Sequence, residues 1–329
     1  MKKTLQYLID GNVLTAQEAY SVMKDIASGK QNEIQIAAFL TIFNMRLPTA
    51  EELNGFSKAM LELATPIKFK SNNVLDIVGT GGDGKNTFNI STLACFVCAG
   101  AGVKVAKHGN YSVSSVSGSS NVLEHAGISF AKNQSELNEQ LEATNISFLH
   151  APLFHPAMKN VANVRKQLQV KTIFNILGPL VNPAKPKVQV IGVYSDSIAK
   201  LYREVLKLRD VNFAIVHALD GYDEISLTAD TKILYRKNIQ VSSAHDLGFK
   251  NSKAAELFGG TTVSQNAKHF INILKGNGTE AQNNVVIANA ALGISLYEQN
   301  SYSAAIQQAR HSLLSGSAYA CFLKLKSFK

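Results

Sequence analysis

Tryptophan is absent from the 329 residues, cysteine occurs three times and proline seven times. An odd and low cysteine count excludes a disulfide framework as the source of stability. Charge is sparse as well, at 17% of residues. Acids are the scarcer sign, 24 against 33 basic residues, so the formal net charge is +9. No run reaches the roughly 18 uncharged apolar residues that a membrane-spanning helix needs. The longest apolar stretch, Leu93 to Val103, is closed by Lys104 and Lys107. The opening MKKTLQYLID carries two lysines, as a secretory leader would. Its apolar run is broken by Gln6 and stopped at Asp10, and no small-residue cleavage site follows. It reads as the first helix of a cytoplasmic protein.

What is present is ordinary globular material: 46% apolar residues, enough for one large domain or two smaller ones. The excess of positive charge favours an anionic partner, nucleic acid or a phosphorylated small molecule, or marks a solvated surface. It is concentrated in residues 156–210, with ten basic residues against three acids. The first 65 or so residues read as consecutive helices. Thr15-Ala-Gln-Glu18 and Thr49-Ala-Glu-Glu52 are capping boxes. Ile34, Ala37, Ala38, Thr41 and Ile42 keep helical spacing, and Gly11 and Gly29 are natural stops.

After Pro66 strands alternate with helices. Strands are expected at Val74–Val78, Val103–Ala106, Ile146–Leu149, Val188–Val193 and Phe213–His217. Helices are expected at Ser91–Ala101, Val122–Ala126, Ser197–Leu206, Ala267–Leu274 and Val285–Leu296. Such alternation implies a mostly parallel sheet covered on both faces, with ligands at the carboxyl ends of its strands. Cys95 and Cys98 form a C-x-x-C inside one of these apolar helices, where they read as small buried hydrophobes. Residues 171–187, with three prolines and a glycine, suggest a chain crossing between lobes.

Four segments carry chemistry. Gly79-Thr80-Gly81-Gly82-Asp83-Gly84 follows a strand and precedes a helix opened by Asn89 and Ser91. Glycines let backbone N–H groups approach a ligand, and a helix N-terminus attracts anions. The loop matches neither the dinucleotide nor the Walker pattern. The same glycines would also serve a tight turn that binds nothing. Lys107-His108-Gly109-Asn110 follows the next strand, and residues 110–120 hold six serines and no acid. Lys107 offers a point charge for phosphate, and the serines offer donors. Asp220-Gly221-Tyr222-Asp223-Glu224 ends a strand with adjacent carboxylates, a donor set suited to a hard cation or simply a solvated turn. Arg165 is either a surface cation or a bidentate partner for a carboxylate.

Taken together, GTGGD with NIST (79–83, 89–92), KHGN with SS and SGS (107–110, 114–115, 117–119), VRKxL…TxFNxLGPLxNP (164–183) and DGYDE (220–224) resemble the anthranilate phosphoribosyltransferase family. The motifs occur in the family's order along the whole chain. The resemblance implies a nucleoside-phosphorylase-like phosphoribosyltransferase fold in the α/β class. A helical domain at 1–66, which dimerises, would contribute with part of 155–185 to the anthranilate side of a cleft. Residues 67–329 would form the α/β phosphoribosyltransferase domain, with a mostly parallel central sheet. The implied reaction joins anthranilate to phosphoribosyl pyrophosphate (PRPP) in tryptophan biosynthesis. PRPP binding is implied for Gly79, Gly82, Asp83, Thr87, Asn89, Ile90, Ser91, Thr92, Lys107, His108, Gly109, Asn110, Ser114, Ser115 and Ser119. Gly79, Asn110 and Arg165 would bind anthranilate, with His108 as a group that could orient it. Ser91, Asp223 and Glu224 would hold Mg²⁺, as two ions arriving with PRPP. The expected assembly is a homodimer acting on small molecules, with neither membrane nor nucleic acid as a partner.

The chain departs from the family at Tyr111 and Lys171, where Arg is common, and at Asn121, where Asp is common. Tyr111 removes one cation near the phosphates. A pyrimidine nucleoside phosphorylase shares the fold but has no need of the acidic pair. A non-catalytic nucleic-acid-binding relative would use the basic surface, but no basic run is interleaved with the aromatics that stack bases.

Overall fold

The computed structural model describes residues 1–112 and 116–328. The chain divides into two compact units, Met1–Ile67 with Ala151–Lys185, and Lys68–His150 with Pro186–Lys329. In chain order the first unit opens with α1 (Lys2–Ile9), α2 (Ala16–Ala27), α3 (Glu33–Met45) and α4 (Ala50–Glu62). The second unit begins with β1 (Leu75–Gly79), α5 (Ile90–Gly100), β2 (Val105–Gly109), α6 (Ser119–His125), α7 (Gln134–Thr144) and β3 (Ile146–His150). The first unit resumes with α8 (Ala151–Phe154), α9 (Lys159–Leu168) and α10 (Ile173–Leu177). The second is completed by β4 (Val188–Gly192), α11 (Asp196–Lys207), β5 (Asn212–Ala218), β6 (Thr231–Tyr235), β7 (Ile239–Ser242), α12 (Val263–Leu274), α13 (Glu280–Glu298), α14 (Tyr302–Leu314) and α15 (Ser317–Lys326).

The helical unit starts its helices as its side chains dictate. Both Thr15/Glu18 and Thr49/Glu52 close reciprocal capping boxes, and Gly11 and Gly29 follow α1 and α2 with positive φ. Phe39, Phe43 and Phe56 meet edge to face at centroid separations of 5.0–5.8 Å, forming the aromatic centre between α3 and α4. The proline-rich stretch 171–187 contains α10 and the 3₁₀ turn Gly178–Leu180, and the chain leaves this unit at Lys185.

The second unit is built on a seven-stranded sheet in the order β3-β2-β1-β4-β5-β6-β7. The first five are parallel neighbours, and β6 and β7 add an antiparallel edge. Sequence alternation did not reveal that edge, because TKILY and IQVS are short and half polar. Nor did it reveal α7, whose apolar stripe is only Leu137 and Leu141. Helix α5 is buried from Thr92 to Ala99 and α13 from Val285 to Ile294. Both lie in the core with the sheet, as helices apolar on every side must. Cys95 and Cys98 are free and fully buried there, and burial pushes the Cys95 thiol up to about 11. They are packing residues, as their surroundings in the sequence suggested.

Candidate active site

The site is assembled at the carboxyl end of the parallel strands. Strand β1 ends at Gly79, in register with Gly192 at the end of β4, and the Thr80 N–H donates to the Gly192 carbonyl at 2.9 Å. The chain then turns through Gly81, Gly82 and Gly84, all with positive φ between 63° and 77°. An L side chain is strained there, which is why glycines occupy the turn. It reaches α5 through Asn89, itself left-handed at φ 58°. The Asn89 Nδ2 donates to the Ser117 carbonyl at 3.0 Å, tying the start of α5 to the loop before α6. Its Oδ1, together with Thr92 Oγ1 and Ser117 Oγ, is buried with no hydrogen-bond partner among the described residues. Buried polar atoms are rarely left so, and a polar ligand would satisfy them.

The acidic turn after β5 folds onto this loop. Asp223 and Glu224 are each 7% exposed. The Gly81 N–H donates to Asp223 Oδ2 at 2.7 Å. The Ser91 N–H and the Thr87 hydroxyl reach the two oxygens of Glu224 at 3.4 Å, long contacts that place it at the first turn of α5. The neighbouring segments 79–84 and 87–92 therefore share one small volume with 223–224, more than 130 positions further along the chain. Burial and the facing Asp83 carboxylate push the Asp223 carboxyl above its usual range; burial and the Asp223 charge do the same to Glu224. No cationic side chain bonds either acid among the described residues. Buried like charges without a counter-ion are what a divalent cation relieves. Among those residues no cluster of three His, Cys, Asp or Glu side chains is arranged to hold a metal unaided. That is the donor set of Mg²⁺ sites completed by substrate phosphates and water.

The second donor-rich segment differs from expectation. Strand β2 runs further on than expected, so Lys107 and His108 lie inside it and not in a loop. Lys107 is 2% exposed and its Nζ donates to the Ile77 carbonyl at 2.6 Å. An apolar strand has room for this lysine because its ammonium finds the carbonyl of Ile77, the middle residue of β1. Gly109 and Asn110 follow at the strand end, where a Cβ on Gly109 would lie 2.4 Å from Ser119 Oγ. The Asn110 carbonyl accepts from the Ser120 N–H at 3.1 Å and from Ser119 Oγ at 3.4 Å. Asn121 Oδ1 accepts from the N–H groups of Ser112 and Gly118, so the Asn that replaces a common Asp keeps the acceptor. Tyr111 packs edge-on against His150 and contacts Glu124. Ser114 and Ser115, expected at the phosphates, lie outside the described residues.

Arg165 belongs to the helical unit, on α9. Its guanidinium lies 5.4 Å from the Phe174 ring centre, and burial lowers its proton affinity. It has no carboxylate partner among the described residues. A desolvated arginine stacked on an aromatic is pre-set for a planar anion. Sequence reading passed over two further residues: Gly192, below the acidic turn, and Asn289, whose side chain bonds Ile225 just after it. The register of Gly192 with Gly79 is visible only once β1 and β4 are paired. Asn289 stood out only as a polar residue in an apolar helix.

Comparison with known proteins gives a consistent answer. The chain matches a glycosyl transferase family model in two parts, the helical bundle domain over residues 2–64 and the a/b domain over residues 71–319. It is 51% identical over 326 residues to an anthranilate phosphoribosyltransferase of Christiangramia forsetii, covering 99% of this chain and 98% of that protein. It is 46% identical over 325 residues to one of Bacteroides thetaiotaomicron, covering 98% of each. Among solved structures, the anthranilate phosphoribosyltransferase of Thermus thermophilus superposes with a TM-score of 0.93 at 35% identity, covering 98% of both chains. The Saccharomyces cerevisiae enzyme in complex with PRPP and Mg superposes with a TM-score of 0.89 at 26% identity, covering 98% of this chain and 95% of that one.

Proposed function

From the premise that this chain belongs to the anthranilate phosphoribosyltransferase family, we propose how its own residues carry out the family's reaction. The protein transfers the phosphoribosyl group of PRPP to the amine of anthranilate, giving N-(5-phosphoribosyl)anthranilate and pyrophosphate, a step of tryptophan biosynthesis. Relatives that are themselves named anthranilate phosphoribosyltransferases favour this reaction over that of a nucleoside phosphorylase.

The bond that breaks joins C1 of the ribose to the pyrophosphate oxygen, and the bond that forms joins C1 to the amine nitrogen. The transition state has oxocarbenium character, as in glycoside cleavage. Catalysis therefore needs the leaving group's charge neutralised and the amine aligned, with no protein nucleophile. Gly79, Gly82 and Asp83 of the glycine turn, and Thr87, Asn89, Ile90, Ser91 and Thr92 around the first turn of α5, receive the PRPP phosphates. Asn110 just after β2 and Ser119 at the start of α6 complete that surface, with Lys107 adding positive potential from within the sheet. Asp223, Glu224 and Ser91 would hold Mg²⁺, two ions in this reading, which would supply positive charge to the pyrophosphate leaving group. The observation that carries the proposal is the pair of buried carboxylates, with no cationic side-chain partner among the described residues, folded onto the glycine turn and the start of α5. Arg165 takes the carboxylate of anthranilate, with Asn110 and Gly79 beside the ring. His108, buried on β2, is the one imidazole we place near the amine.

The same reading includes a homodimer formed through the helical unit, where Ile9, Ile34 and Met45 are 66–86% exposed. It also includes a cytoplasmic location; no described helix is long and apolar enough to cross a membrane. The test is loss of anthranilate fluorescence on adding PRPP and Mg²⁺, run beside an Asp223→Asn, Glu224→Gln variant. Turnover by the wild type that needs both additions and vanishes in the folded variant supports the assignment. Absence of turnover at high wild-type concentration overturns it.

A further inference from the structure

We propose that Asn289 and Gly192 are positioning residues that fix the Asp223–Glu224 pair and thereby set the cation affinity of the site. The proposal rests on the reading that these two acids hold the cation. Asn289 sits in the middle of α13, 3% exposed, in a helix otherwise apolar from Val285 to Ile294. Its Oδ1 accepts from the Ile225 N–H at 3.0 Å, and its Nδ2 donates to the Ile225 carbonyl at 2.9 Å. The same Nδ2 also donates to the Val285 carbonyl at 2.9 Å. Only a carboxamide offers a donor and an acceptor side by side in this way. It pairs with both polar groups of one residue, as a neighbouring strand would. That residue directly follows Glu224, so the clamp fixes the direction in which the chain leaves the acidic pair.

Gly192 closes the opposite side. A Cβ there would stand 1.5 Å from the Asp223 carbonyl oxygen and 2.6 Å from its carbon, both backbone atoms that cannot rotate away. The acidic turn thus rests directly on the end of β4. The Ala218 N–H donates to the Tyr222 carbonyl at 3.1 Å, holding the residue before the pair to the end of β5. With the Gly81 N–H on Asp223, the turn is held before, after, beneath and across the pair. Two like charges that repel keep a common position only if their backbone is held this firmly. The function explains what packing alone does not: a buried amide in an apolar helix, aimed at the N–H and carbonyl of the one residue beside the carboxylates.

The experiment is Mn²⁺ binding, read from the electron paramagnetic resonance signal of free Mn²⁺, with PRPP present and no anthranilate. It compares wild type, Asn289→Ala, Asn289→Ser, Gly192→Ala and the Asp223→Asn, Glu224→Gln variant, each checked for folding by circular dichroism. The expected result is at least tenfold weaker Mn²⁺ binding in the Asn289 and Gly192 variants. The Mg²⁺ concentration for half-maximal turnover should rise by the same factor, while kcat at saturating Mg²⁺ falls less. A purely structural role would lower the melting temperature and leave metal affinity unmoved. Should Asn289→Ala not fold, Asn289→Ser and Gly192→Ala give the same readout. Folded variants that bind Mn²⁺ within twofold of wild type, while the double acid variant loses it, overturn the positioning role. Undiminished binding by the double acid variant instead overturns the reading that Asp223 and Glu224 hold the cation.

Discussion

Gly79→Ala is the sharpest single test of how the glycine turn and the acidic pair depend on each other. A Cβ on Gly79 would stand 2.3 Å from Asp223 Oδ2 and 3.0 Å from its Cγ. Ordinary contact begins near 3.4 Å, so the carboxylate must retreat by about 1 Å. The φ of Gly79 is not positive, so alanine fits the backbone and the variant should fold. What the retreat takes away is the 2.7 Å bond from the Gly81 N–H to Asp223 Oδ2. A hydrogen bond to a charged group is worth about 1.5–3 kcal/mol, and a buried acceptor left unsatisfied sits at the upper end. At about 1.4 kcal/mol per decade, that is roughly a 10- to 150-fold loss. The expected outcome is a kcat/KM for PRPP reduced by about that factor, partly recovered at high Mg²⁺ as excess cation compensates for the displaced ligand. The assay is anthranilate fluorescence across a Mg²⁺ series. A variant within twofold of wild type at every Mg²⁺ concentration would refute the argument, because the contact forces the Asp223 carboxylate away from the Gly81 N–H.

Arg165→Lys keeps the charge and loses the planar fork, so the KM for anthranilate should rise at least tenfold with the KM for PRPP unchanged; steady-state kinetics with each substrate varied decide it. Gly55→Ala puts a Cβ 2.3 Å from the Ala16 carbonyl and 2.9 Å from Ala19 Cβ where α4 crosses α2. Overpacking of this kind costs about 1–3 kcal/mol, more than the helix propensity gained, so thermal unfolding should show a lower midpoint; an unchanged or higher one counts against the packing argument. His155 Nε2 donates to the Val181 carbonyl at 2.9 Å, and burial holds its imidazole down to about 4. The unfolded chain takes up this proton near pH 6.5 and the folded chain only near 4. The stability it contributes is therefore complete above about pH 6.5 and falls by about 3 kcal/mol as pH drops to 4. His155→Gln should flatten that part of the pH–stability curve in denaturant titrations, and parallel curves would contradict the assignment.

Much of this architecture was legible because the sequence states it locally. The capping boxes at Thr15 and Thr49 name their own partners three residues away, and α5 and the strands at 146–150 and 188–192 are mostly apolar and buried. Lys107 was misplaced for a physical reason. A lysine in an otherwise apolar stretch reads as the strand's end, and only the Ile77 carbonyl at 2.6 Å makes its burial tolerable. That carbonyl is 30 residues away, beyond any local pattern. The edge strands β6 and β7 were missed because they are only five and four residues long and neither shows a clean apolar alternation.

The site divides along the same line. Residues that meet a phosphate or a cation carry their chemistry in their own side chains, so Asp83, Ser91, Asp223 and Glu224 stand out from the sequence in recurring strings. Residues that hold those groups in place have no chemistry of their own to show. Gly192 matters for an atom it lacks, and its partner Asp223 lies far along the chain, after β5. Asn289 matters for two bonds to the backbone of a residue 64 positions earlier. Register between β1 and β4, and the seating of α13 beneath the sheet's end, bring them to the site. A reading from motifs therefore recovers what touches the ligand before it recovers what holds it still. The second set decides whether two repelling carboxylates form a cation site or drift apart.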